Sequence, residues 1–407
     1  MPIRILKYTH EIHDYQLLKC EHTHDTFIAH ISKDKNAFRC TACDGHKVTA
    51  TPVGERLIKA LPTGIKQTRF NVKMHRLRCH DCGMYLMENI SFIASQQRRV
   101  STSLERTVID LRNHMSIKAI AGHYDLHWDT VKNIEKSHLK EKYKTIAMAD
   151  VKAIGIDEVF MGKTIGEKGY LTIVRDLHSG AVLHVGQGKK GSALDGFAEK
   201  VKESKATIEI VAADLAQSFT SWVHQNLRSA TIVYDHFHLI KLMNDKLAAI
   251  RRRTMNELEE YDKKELKNRR WHYAINRENL NPKATIELER CNSIFKELGT
   301  AYSLKESLRN IYSMADTKGF AKLAFERWCE LADASRIPEL KTMAKTIREH
   351  LAGITAYWST GCMTSASMEG FNNKIGWLTR QAYGYRDEEY LIMKIYDLPN
   401  LKIANEL

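Results

Sequence analysis

Three carboxylates and four thiols are the side chains in this chain best suited to chemistry. Asp157 lies in "VKAIGIDEVFMG" and Asp214 in "IEIVAADLAQSF"; Glu369 is the single acid of "TSASMEGFNNKIGWLTRQAYGYR", residues 364–386. Converging carboxylates are what a hard divalent cation binds, and without one they raise each other's pKa. Two such ions can activate an attacking oxygen and stabilise a leaving one in phosphodiester displacement. Cys40, Cys43, Cys79 and Cys82 form two Cys-x-x-Cys pairs. Each turn offers two thiolates to one tetrahedral ion, so the four predict a single closed, structural Zn²⁺ site. His46, His75 and His80 lie close enough in sequence to replace a ligand.

The acids need elements to hold them. Read as a helix, 364–386 puts Phe371, Ile375, Leu378 and Ala382 on one side. Glu369, Asn372, Asn373, Gly376 and Arg380 fall on the other, a face that is either solvated or functional. Upstream, "VKAIGIDEVFMG", "GYLTIVRDLHSG" and "AVLHVGQG" read as a three-strand meander. A helix ("ALDGFAEKVKE"), a strand ending at Asp214, a helix ("SWVHQNLRSA") and a strand ending at Asp235 follow. This is the strand and helix order of a ribonuclease H-like domain, in which the first and fourth strands are neighbours. Asp157 and Asp214 would then meet at the sheet's edge. Four runs between about 241 and 355 read as an all-helical insertion: "NDKLAAIRRRTMNELEEYDKKELKNRRWHYAIN", "LERCNSIFKELGTAYSLKESLRNIYSM", "GFAKLAFERWCELADA" and "LKTMAKTIREHLAGITAYW".

The N-terminal third is organised differently. "TRFNVKMHRLRC" alternates as a strand between the cysteine pairs, predicting a zinc ribbon with an enlarged hairpin. In "SIKAIAGHYDLHWDTVKNIEK", Ile120, Tyr124, Leu126, Val131 and Ile134 take the core positions of a helix-turn-helix, with Ala121 at the helix crossing. Asp125 stands where a turn glycine is expected. The second helix should begin near Trp128 and present His127, Asp129, Thr130, Lys132 and Asn133 to a groove. Arg98, Arg99 and Arg106 are candidate phosphate contacts.

The fold class expected is therefore multidomain α+β. A zinc-ribbon domain (1–100) precedes a helix-turn-helix (101–145) and a catalytic core (150–240). The helical insertion (241–355) and the C-terminal helices with the third acid (356–407) complete it. A net charge of +13 and a pI near 9.2 point to a polyanionic partner, nucleic acid before membrane. No apolar span near eighteen residues and no signal peptide are evident, and scattered Cys20, Cys291, Cys329 and Cys362 form no disulfide framework. A cytoplasmic location is expected.

Over essentially its whole length the chain resembles insertion-sequence transposases of the ISL3 family. The resemblance rests on the paired cysteines, the helix-turn-helix, "IGIDE", "AADLAQSF", "YDHFH", "LKNRRWHYAIN", "AYSLKESLRNIY" and "SASMEGFNNKIGWLTRQAYGYR". It implies that Asp157, Asp214 and Glu369 form an acidic triad using two Mg²⁺ or Mn²⁺ ions. It also matches Asp235 and His238 to a supporting Asp-x-x-His element; a capping pair is the other reading of these two. His236 and Phe219 depart from the family pattern, where arginine and tyrosine are common. The implied reaction is cleavage at the element's ends followed by attack of the freed 3′-hydroxyl on target DNA. The implied partners are double-stranded DNA, as terminal inverted repeats and target, and further copies of the chain in a homodimer or larger assembly. Asn372, Asn373 and Arg380 would hold backbone phosphates. A regulator with an inactive nuclease-like domain is the alternative.

Overall fold

The computed structural model describes residues 3–162, 169–259, 263 and 266–400, which form two compact units, one up to residue 144 and the other from residue 145. Parts of the expected helix over 244–276 (260–262, 264 and 265) and of the 356–407 segment (401–407) lie outside the described residues.

The first unit is built on a long hairpin, β3 (Val48–Thr63) with β4 (Lys66–Cys79), in antiparallel register from Val48↔Cys79 to Thr63↔Lys66. The alternation read from sequence holds through Thr68, Phe70, Val72 and Met74, all buried. It slips by one beyond Met74, where the register shifts between Pro52 and Gly54, and His75, Leu77 and Cys79 become the buried set. The ribbon reading was too small. β1 (Tyr15–His22) and β2 (Thr26–Lys33) extend the sheet to the order β1-β2-β4-β3, and β5 (Tyr85–Met87) pairs with β4. Tyr15, Ile31, Ile58, Phe70 and Phe92 give this sheet an apolar core of its own.

Three helices follow: α2 (Thr102–Leu111), α3 (Ile117–His123) and α4 (Trp128–Lys142), after the N-terminal α1 (Ile3–Thr9). Ser101 and Ser116 cap α2 and α3 by accepting from Leu104 and Ala119 N–H. Ile120, Ala121, Tyr124, Val131 and Ile134 are buried together, with Leu126 packed against them. Asp125 takes the left-handed turn (φ 50°) that glycine would occupy at least cost. Its carboxylate is held by Lys59 at 2.8 Å and Arg69 at 3.0 Å, on β3 and β4, and these charges offset the backbone strain.

The second unit centres on a sheet of order β10-β9-β6-β7-β8: β6 (Ala153–Phe160), β7 (Tyr170–Asp176), β8 (Val182–Gln187), β9 (Ile210–Ala213) and β10 (Thr231–Tyr234). The meander β6-β7-β8 is antiparallel, whereas β9 runs parallel to β6 and β10 parallel to β9. α5 (Asp195–Ser204) and α6 (Gln217–Asn226) make the crossovers.

The helical region starts with α7 (His236–Asn256) and includes the short α8 (Arg270–Ala274). The helix expected over 244–276 is thus interrupted, because the chain doubles back and Arg251 Nη1 donates to Leu266 O at 3.2 Å. α9 (Pro282–Ile294) and α10 (Lys296–Met314) replace the single helix expected there. They break at Phe295, and Gly299 lets them close: a Cβ at 299 would meet Asn292 O at 2.9 Å. α11 (Lys318–Ala334) and α12 (Pro338–Ala356) return the chain to the sheet, followed by α13 (Ala366–Gln381) and α14 (Glu388–Asp397). Ile154, Val211 and Ile232 of the sheet share one core with Leu304, Phe325, Trp328 and Ile347 of the helices.

Candidate active site and cysteine cluster

The pairing of β6 with β9 runs Ala153↔Ile210, Ile154↔Val211, Gly155↔Ala212. Asp157 and Asp214 each lie two residues beyond the last of these pairs, near enough for the Asp214 charge to act on Asp157. Both are half-buried. Asp157 Oδ1 accepts the Glu158 N–H at 2.8 Å, and Asp214 Oδ1 accepts the Ala216 N–H at 3.0 Å. Burial raises the Asp157 pKa and the Asp214 charge adds to it, opposed by the Glu158 N–H, His238 and Asn372. Glu158 is pushed up to about 7 by burial, then by Asp214 and Asp157, against the pull of Lys189. A cation between these groups would relieve that repulsion.

The helix carrying Glu369 is fastened to the same edge at three points. Asn372 Nδ2 donates to Asp157 Oδ2 at 2.7 Å. Arg175 of β7, nine-tenths buried, donates from Nη1 to Ser367 O at 2.9 Å and lies 4.1 Å from the Phe371 ring centroid. Ser365, just before the helix, donates its hydroxyl to Asp235 Oδ2. Met368, Phe371, Ile375 and Leu378 are buried, and Gly155 is the glycine that admits Met368, since a Cβ there would lie 2.9 Å from its Cγ and Sδ. Ala382 does not complete the stripe: it follows the helix's last turn and is exposed, and Met368 takes up the apolar face at the other end. Glu369 is exposed and precedes Asn372 by three residues, so both share one face. Among the described residues, the three acids do not bring their oxygens all within 4.8 Å of one another.

Other expected site residues fall in varied surroundings. Asp235 is buried and caps α7, accepting the Phe237 N–H at 2.9 Å, and so serves as both helix cap and anchor for Ser365. His238 is half-buried on the first turn of α7, where its charge acts on Asp157. Asn373 and Arg380 are exposed on α13. Asn372, expected on phosphate, is instead turned to Asp157, and its Oδ1 is buried without a partner. Sequence reading overlooked Glu158, Arg175 and Ser365. Glu158 was legible as the second acid of "IGIDE", but strand alternation sends neighbouring side chains to opposite faces and hid it.

In the first unit, the four cysteine Sγ atoms lie within 4.8 Å of one another, with Cys40–Cys82 and Cys43–Cys79 at 3.6 Å. Backbone N–H groups of Ala42 and Cys43 lower the Cys40 pKa to about 7. Cys40 and Cys79 are buried and Cys43 and Cys82 exposed. This donor set fits one Zn²⁺. Two of the three nearby histidines have other partners: His75 Nδ1 meets Glu88 Oε1, and His80 Nε2 meets Thr49 Oγ1, both at 2.8 Å. On α4, Thr130 is half-buried and Asn133 exposed, while Lys132 lies over the Trp128 ring and 3.6 Å from Asp129. Arg98 is used internally, against expectation. It pairs with Glu105 at 3.0 Å and donates to Asn133 O and the Ser137 hydroxyl, clamping α2 to α4. Arg99 is exposed, and Arg106 pairs with Glu11 at 3.1 Å.

No helix among the described residues is long and apolar enough to cross a membrane. The chain is 28% identical over 360 residues to the transposase for insertion sequence element IS1001 of Bordetella parapertussis, covering 88% of this chain and 87% of that protein. It is 29% identical over 290 residues to the transposase for insertion sequence element IS1557 of Mycobacterium tuberculosis, covering 65% of this chain and 64% of that one. Among solved structures, a Drosophila P element transposase strand transfer complex aligns at 12% identity and a TM-score of 0.40, covering 74% of this chain and 92% of that one. The family model described as the helix-turn-helix domain of transposase family ISL3 matches residues 88–139. The ISL3 DDE model described as transposase matches 154–395, more than half of the chain, and the protein belongs to the ISL3 family of transposases.

Proposed function

We propose that this transposase cuts and joins DNA at the ends of an insertion sequence through Asp157, Asp214 and Glu369, on a ribonuclease H-like sheet. The observation that carries the reading is the convergence of three segments on one sheet edge. Asp157 and Asp214 lie two residues beyond the last β6–β9 pair, where the Asp214 charge acts on Asp157, and Asn372 hydrogen-bonds Asp157 one turn after Glu369. The three carboxylates would hold two divalent ions, Mg²⁺ or Mn²⁺, which when bound polarise the attacked phosphodiester and activate the attacking oxygen. The chain itself supplies alignment. The Glu158 N–H and the Asn372 amide fix both oxygens of Asp157, and Arg175 and Asp235 fix the start of the helix bearing Glu369. Asn373 and Arg380, exposed on that helix, are placed to meet backbone phosphates.

The first unit would read the terminal inverted repeats. α4 carries Thr130, Lys132 and Asn133 as groove contacts, with Arg99 on phosphate, and the zinc-bound cysteines hold the hairpin beneath. Joining two ends calls for at least two copies of the chain. The test is incubation of purified protein with labelled duplex carrying the flanking repeats, with Mg²⁺ or Mn²⁺. Cleavage at the repeat boundary followed by a joined product is expected. End binding with no cleavage under either ion would leave the DNA-binding regulator as the better reading.

A further inference from the structure

The helix that carries Glu369 ends in a conformation that its sequence ought to avoid. Gly384 N–H donates to Thr379 O at 2.9 Å and Tyr383 N–H to Arg380 O at 3.1 Å. That pair of bonds is the Schellman helix stop, whose left-handed position is ordinarily glycine. Here that position is Tyr383, at φ 53°, although a glycine is the very next residue. A bulky side chain in this region is strained, and strain of this kind persists where something else requires the residue. Packing within the chain does not require it: the Tyr383 side chain is 100% exposed.

What surrounds Tyr383 identifies the partner. From Gly370 to Arg386 the sequence has no acidic residue, and it contains Lys374, Arg380 and Arg386. None of these three cations has a carboxylate partner among the described residues. Trp377, 38% exposed, lies one turn before Arg380, and Arg380 continues the helix face that begins with Glu369 and Asn373. Exposed aromatic rings among unpaired cations suit nucleic acid, because every base offers a π face and every linkage a negative charge.

We propose that Tyr383, with Arg380 and Arg386, is a DNA-contact site in which the tyrosine ring stacks on an unpaired or destacked base. Fourteen residues separate Tyr383 from Glu369, roughly 21 Å along a helix axis. That is about six nucleotide steps on one strand. The contact would therefore hold DNA to one side of the phosphate being cut. This inference rests on the reading that the second unit acts on DNA.

The experiment uses the full-length zinc-loaded protein and end duplexes with 2-aminopurine placed three to nine nucleotides from the cleavage point. Tyr383→Gly relieves the strained backbone, so thermal unfolding should shift upward or stay unchanged. The 2-aminopurine response at one of these positions should be lost in that variant and retained in Tyr383→Trp. Arg380→Gln with Arg386→Gln should lower the slope of log affinity against log salt by about two. A response in Tyr383→Gly equal to wild type, or a fall in its melting temperature, would overturn the proposal, as would altered self-association with DNA contact intact. If the wild type fails to bind end DNA at all, the functional reading falls first, and this site with it.

Discussion

Asn372 donates its side-chain N–H to Asp157 Oδ2 at 2.7 Å, although 215 residues separate the two in the chain. With the Glu158 N–H on Oδ1, both oxygens of this carboxylate are fixed before any ion arrives. Groups that orient a metal-binding carboxylate commonly matter by about 10–100-fold. Asn372→Ala is therefore expected to lower cleavage by that order while end-DNA affinity holds. A gel-shift titration beside a cleavage time course separates this from the phosphate contact expected from sequence, for which affinity would fall too.

Glu369 lies on an exposed face, and the helix is anchored by Met368, Phe371, Ile375 and Leu378 on the opposite one. Glu369→Gln should leave thermal unfolding and end binding unchanged and reduce cleavage by several orders of magnitude, because a neutral amide is a poor ligand for Mg²⁺. Asp157→Asn and Asp214→Asn should match it, and a double variant should cost little more than a single one. Glu326→Gln, on α11, serves as the active control. Near-normal cleavage by Glu369→Gln would return that face to solvent.

Removal of zinc should act on the first unit. Four thiols within 4.8 Å of one another repel when ionised and have no disulfide to hold them. Cys79→Ser, or a strong chelator, should bring zinc content toward zero, lower the first melting transition and weaken end binding. Metal analysis by mass spectrometry reads the first effect directly, and full zinc occupancy in Cys79→Ser would exclude the proposed ligand set.

A pH dependence follows from Glu158, whose pKa is pushed up to about 7 from an ordinary 4.5. Between those values the folded chain binds a proton that the unfolded chain has released. The corresponding stability is complete below the lower value and is lost as pH rises through the upper one. In chelator, denaturation midpoints of the wild type should fall between about pH 4.5 and 7, and Glu158→Gln should flatten that slope.

Much of this was legible from patterning. The meander, the fourth strand and the stripe Phe371, Ile375, Leu378 follow patterns that chain geometry imposes, so they emerge from sequence directly, whereas the parallel run of that strand beside β6 comes from the structure. The start of α4 at Trp128 was legible for the same reason. What escaped depends on distant partners. Asp125 reads as a flawed turn until Lys59 and Arg69 stand beside it, and Arg98 reads as a free cation until Glu105 occupies it. Asn372 is one amide among several on a polar face, and the anchoring of its helix by Met368 against Gly155, by Arg175 and by Ser365 aims it at Asp157. β1 went unread because Leu18 and Cys20 are exposed on an edge strand, and the weak apolar contrast there gives no period to detect.

The continuity of the apolar interior from the sheet into the helices bears on cooperativity. Gly353 of α12 sits so close to Tyr234 of β10 that a Cβ would reach 2.5 Å from the ring. Ile154 and Trp328 belong to the same cluster, and the Ser365–Asp235 hydrogen bond closes an excursion of 130 residues onto the strand from which it left. Helices and strands joined in this way have no seam along which to separate, so neither can open fully while the other stays intact. Amide protons in the middle of β6 and in the middle of α11 then share one slowest opening event, that of the whole unit. Damage to a helix far from Asp157 is felt as a loss of the sheet that holds it.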